Sequence, residues 1–140
     1  MITLETANRI AIAAFEEGRA RGLLHMSVVV TDASGAIRVA MRGDGVGTFG
    51  VDIAKGKAAT ALGFNTSSLQ LGEWFGQNGA ATAGLAAVTG GQFLPLGGGV
   101  IIQDDAGVTI GAAAVAGGAP ETDHAVVVAA VRAVGLVTPE

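Results

Sequence analysis

Residues 26–42 read MSVVVTDASGAIRVAMR, and they decide the fold. Met26–Thr31 is rich in β-branched side chains, Asp32-Ala33-Ser34-Gly35 is built of turn residues, and Ala36–Arg42 alternates apolar with polar. Two such runs around a short Asp/Gly turn predict an antiparallel hairpin. Asp32 is placed for an Asx-type turn with Gly35, in which a carboxylate oxygen accepts from backbone just downstream. The pattern returns near the C-terminus. There Val100–Gln103 and Val108–Val115 flank Asp104-Asp105-Ala106-Gly107 and predict a second hairpin.

Helical signals fill the space around the hairpins. Thr3 is a candidate N-cap, and Leu4, Ala7, Ile10, Ala11, Ala14 and Phe15 then share one helical face up to Gly22. Val51–Gly63 predicts a second helix, and Asn65-Thr66-Ser67 predicts the cap of a short one through Trp74 and Phe75. Ala80–Val88 reads equally as a small-residue helix or a packed loop. Pro120 suits the first position of a last helix through Val134. The order α-ββ-α(α)-ββ-α favours an antiparallel sheet flanked by helices, because a doubly wound fold would show strict βαβ units.

Composition narrows the function. The chain has 140 residues, enough for one domain spanning 1–140. Half of its residues are apolar and only 14% are charged, against an ordinary share of about 25%. So few charges cannot cover a domain this small, and burial between copies in a homo-oligomer is the expectation. No apolar run approaches the roughly 20 residues of a membrane span. A net charge of −4 with scattered basic residues leaves no nucleic-acid footprint. The absence of cysteine excludes disulfides and thiolate metal sites. The opening Met1-Ile2-Thr3-Leu4-Glu5 lacks the pattern of a leader, so a cytoplasmic location is expected.

The ordered motifs resemble one family. Val-Val-Val-Thr-Asp32-Ala-Ser-Gly35, Arg42-Gly-Asp44-Gly45 and Asp52-Ile53-Ala54-Lys55-Gly56-Lys57-Ala58 are followed by Phe93-Leu94-Pro95-Leu96-Gly97-Gly98-Gly99-Val100 and Gly117-Gly118-Ala119-Pro120-Glu121-Thr122-Asp123. Together they resemble the GlcG/HbpS family, to which the C-terminal domain of the PduO adenosyltransferases is related. The resemblance covers nearly the whole chain. It departs from the family pattern at Ala116, where a serine is usual, and at Ile101, where a proline is usual. It implies a profilin-like three-layer α/β/α sandwich with an antiparallel sheet, assembled as dimers and often as hexamers or octamers. It also implies a small-molecule-binding role, with some members binding or degrading haem and one acting as an extracellular haem sensor.

Several residues are candidates for that role. The loop Gly43–Gly50 leads into a helix bearing Lys55 and Lys57, which together could cradle an anion. The spacing fits neither a Walker nor a Rossmann motif, and a plain strand-to-helix connection is the alternative. Lys57 lies i+4 from Ile53 and i+3 from Ala54, which turns it inward, where a charge needs a partner. Arg42 could hold a carboxylate bidentately while Asp44 orients it, or the two could form a structural ion pair. Gly45 lets backbone approach a ligand closely. His25, among Leu23, Leu24 and Met26, is the candidate axial haem ligand. His124, near the start of the last helix, is a candidate base or metal ligand. Trp74 and Phe75 could wall an apolar pocket with Glu73 or Gln77 as its polar handle, or plug a core or interface.

Two functions follow. One is an oligomeric module that binds haem or another small anionic or apolar ligand near the loop and a subunit interface. The other is an enzyme on a small carboxylate-bearing metabolite, with Arg42 and Lys57 binding the anion and Asp44, Glu73 or His124 moving a proton.

Overall fold

Val28, Val29 and Val30 are all completely shielded from solvent. A strand achieves this only with a packed layer on each of its faces. The computed structural model describes residues 1–139 and shows both layers. In chain order the elements are α1 (Leu4–Ala20), β1 (Ser27–Asp32), β2 (Ile37–Arg42), α2 (Gly50–Phe64), α3 (Ser68–Phe75), α4 (Gly79–Val88), β3 (Gly99–Gln103), β4 (Thr109–Ala116) and α5 (Pro120–Ala133).

The four strands form one antiparallel sheet in the order β2-β1-β4-β3. Each hairpin pairs as the sequence predicts, and the hairpins meet along β1 and β4, where Val29 opposes Ala114. A bulge between Val30 and Thr31 shifts the register of the first hairpin. Side chains alternate across the sheet, so Val28, Val30, Ala113 and Val115 pack against α1 and α5, while Val29, Ala112, Ala114 and Ala116 pack against α2. The result is a three-layer α/β/α sandwich of the profilin-like kind. The α2 side is built of alanines, and its small side chains draw the helix close to the sheet. Among the described residues no helix is long and apolar enough to cross a membrane.

Helix ends follow local chemistry. The Thr3 hydroxyl accepts from the Thr6 N–H at 3.1 Å and caps α1. The first helix ends as predicted, with Gly22 left-handed just beyond it. Leu4 departs from its predicted inward face and is exposed. Ile2, just before the cap, fills the core in its place, as a residue in the staple position does. Pro120 opens α5. Residues 79–88 are helical, with the Asn78 Oδ1 accepting from the Ala81 N–H at 3.0 Å. No residue of α4 is buried in this chain.

Candidate functional site

Both hairpin turns lie at one end of the sheet. The other end, where β1 begins and β4 finishes, is open and carries a cavity of about 750 Å³. Three segments brought together by the strand order build it: the link from α1 to β1, the loop from β2 into α2, and the turn from β4 into α5.

His25 comes from the first link. Its Nδ1 lies 2.8 Å from the Asp44 carbonyl oxygen. A carbonyl only accepts, so Nδ1 carries a proton and donates it, and in the neutral ring the lone pair lies on Nε2. Gly45 makes that contact possible. Its φ is +77°, and a Cβ there would fall 2.6 Å from the His25 Nδ1.

The loop from β2 supplies the apolar wall. Val46, Phe49 and Ile53 line the cavity, and Leu96 and Pro120 add to its apolar lining. Phe49 is 72% exposed, so its ring stands at the rim. The Arg42 guanidinium, itself outside the lining, donates to the Val46 carbonyl at 3.3 Å and steadies this loop.

Lys57 lines the cavity from α2 and is 4% exposed. Its predicted inward aim is observed. Its Nζ donates to the Asp123 Oδ2 at 2.9 Å and to the Val115 carbonyl at 3.2 Å. Asp123 is fully buried. Its carboxylate also accepts from the Gly118 N–H at 2.8 Å and the Gly117 N–H at 3.2 Å, fastening the turn that leads into α5. The partner of Lys57 is thus Asp123, on the last helix.

The remaining candidates lie elsewhere. The Asp44 side chain is exposed, and only its backbone serves the site. His124 is partly buried on α5 beside Asp123 but does not line the cavity. Glu73 accepts from the Gln70 Nε2 at 3.3 Å and lines a smaller neighbouring depression of about 330 Å³, bounded by Leu96 and Pro120 as well. Trp74 is 62% exposed and lines neither. Of the residues singled out by name, the structure brings His25, Gly45 and Lys57 to one cavity. Sequence reasoning missed Asp123 as a member of the site, although the Gly117–Asp123 motif contained it.

The geometry can be set beside known proteins. The family of haem-degrading HbpS-like proteins matches residues 2–132. The PduOC:haem complex superposes with a TM-score of 0.87 at 27% identity, covering 99% of each chain. HbpS superposes at 0.82 with 32% identity, covering 96% of this chain and 90% of its own. The Klebsiella pneumoniae protein ORFY, of the DUF336 family, superposes at 0.85 with 24% identity over 95% and 90%, a likeness of fold. No curated protein sequence matches.

Proposed function

We propose a haem-binding function on one premise: the chain belongs to the HbpS-like family. The observation that carries it is the His25 Nδ1–H bond to the Asp44 carbonyl, which leaves Nε2 as a neutral donor atom at a largely apolar cavity. Metal-ligating histidines characteristically donate their other ring N–H to a fixed acceptor, which sets tautomer and orientation. A cavity of about 750 Å³ lies within the usual 300–1,000 Å³ range of small-molecule sites. Phe49, Ile53 and Leu96 offer the apolar surface that a porphyrin face needs.

Haem, when bound, supplies iron-centred chemistry; the chain supplies its seat. His25 would provide the iron ligand, Gly45 leaves room for its imidazole against the Asp44 carbonyl, and Phe49 would cover the haem at the cavity mouth. The protein acts as a homo-oligomer, because Trp74 and Val88 stand exposed on a surface with few charges to solvate them.

Titration of the purified protein with hemin tests the reading. A Soret shift that saturates at one haem per chain is expected, lost in His25→Ala and kept in His124→Ala. No shift in the wild type overturns haem binding, and equal titration of both variants overturns the role of His25. Light scattering giving the mass of one chain, 13.7 kDa, overturns the oligomer.

A further inference from the structure

Lys57 has more donors than its partners use. A lysine ammonium carries three N–H groups. Among the described residues Lys57 spends two, on Asp123 and on the Val115 carbonyl. The side chain is otherwise enclosed, and the surface it retains belongs to the cavity lining. A buried charged donor without an acceptor is costly, so the third N–H calls for an oxygen from within the cavity.

The surroundings say which oxygen. Lys57 and Asp123 cancel as unit charges. Helices α2 and α5 both begin at the cavity, through Gly50 and Pro120, and neither N-terminus has a side-chain cap. Each carries the equivalent of about half a positive charge on its free N–H groups, offset in part by the acids of its first turn. The other first-turn acids, Asp52 on α2 and Glu121 on α5, are exposed and do not line the cavity. A neutral carbonyl would satisfy the hydrogen bond, but an ammonium and helix N–H groups bond a carboxylate oxygen more strongly.

We propose that Lys57, with the N-termini of α2 and α5, forms a carboxylate subsite on the cavity floor, so that an acidic apolar ligand binds with its carboxylate against the Lys57 Nζ. Asp123 acts through Lys57, holding the ammonium at the cavity. The inference rests on the haem reading only in treating the same cavity as the ligand site. The carboxylate can be a haem propionate or belong to a smaller aromatic or aliphatic acid.

The test compares acid with ester. Wild-type protein is titrated with hemin, with hemin dimethyl ester and with benzoate, by absorbance for the porphyrins and calorimetry for the acid. Hemin is expected to bind at least tenfold more tightly than its ester. The same titrations are run on the double variant Lys57→Met/Asp123→Asn, in which the buried pair is neutral and circular dichroism reports the fold. There the preference is expected to fall below threefold. Equal binding of hemin and ester by the wild type overturns the subsite and leaves haem binding standing; this arm needs no variant. Retention of the preference by the folded double variant also overturns it. If neither porphyrin binds while benzoate binds the wild type and not the double variant, the subsite stands and the haem reading falls.

Discussion

At one end of the sheet, Asp32 and Asp104 close the two hairpins with hydrogen bonds that reach at most four residues along the chain. At the other end, Asp123 is held by Lys57 across 66 residues, and the Ser68 hydroxyl bridges to Gly99 across 31. The same side-chain type therefore does opposite jobs. Asp32 and Asp104 organise backbone that is already adjacent, at half-buried turn positions. Asp123 joins segments that only the finished fold makes neighbours, and it is fully buried there. A turn aspartate can be lost and its backbone still hydrated. A buried one cannot go without stranding a cation.

That contrast predicts an order of effects. The largest belongs to Asp123→Ala, which leaves Lys57 charged and enclosed. Breaking a buried pair from one side costs about 3–5 kcal/mol, so chemical denaturation should lose that much stability. The double variant Lys57→Met/Asp123→Asn should lose less than Asp123→Ala alone, and an equal or greater loss would break the contrast. Ser68→Ala comes next. The Ser68 Oγ accepts from the Gly99 N–H at 2.8 Å and donates to the Gly99 carbonyl at 3.3 Å. Stranding those buried groups should cost about 1–3 kcal/mol, read from the same urea curves.

Gly45→Ala sharpens the comparison within the open end. Forcing a side chain at positive φ costs about 1–3 kcal/mol, while the new methyl displaces the His25 ring. Hemin affinity should fall at least tenfold, about 1.4 kcal/mol, alongside a stability loss of the same order. The smallest effect belongs to Asp32→Asn. The Ser34 hydroxyl, bonded at 2.6 Å, holds the Asp32 carboxyl below its ordinary value, with the Ser34 and Ala36 N–H groups and Arg38 assisting against slight desolvation. Because the folded value is the lower one, the carboxylate stabilises the fold fully above the unfolded value of about 3.9. That contribution disappears as pH falls through the folded value. Asp32→Asn should therefore lie below the wild type at pH 6, with the gap narrowing toward pH 3. A gap that widens on acidification would contradict the turn geometry.

The same contrast explains what could be read from the chain alone. Asp32 and Asp104 were legible because turn, strand and glycine are consecutive, and the hairpins fixed the sheet. The inward aim of Lys57 was legible from helical spacing. Its partner was not, because nothing local in Asp123 distinguishes a floor residue from a helix-starting acid. His25 drew notice through its apolar neighbours, yet it is exposed at the cavity, and its informative contact is with backbone 19 residues away. Residues 79–88 left helix and loop open because Ala and Gly on every side give no apolar-polar contrast for a period to show. Trp74 attracted attention by size, but size does not say which way a helix face turns.

The strand order has a consequence for how the protein is made and kept. Each hairpin is local and can form from its own stretch of chain. The cavity needs both, since its parts run from His25 to Asp123 and meet only when β1 docks on β4. A partly synthesised chain, or one with its hairpins formed but undocked, has no ligand site. Occupancy is then a certificate of completed folding. A ligand present at a hundredfold excess over its Kd adds about 2.7 kcal/mol to the stability of the loaded form. Proteolysis that samples the opened chain follows the population of that opened form. Chains that find their ligand should thus outlive those that do not, and the cellular amount of this protein should track the supply of what it binds.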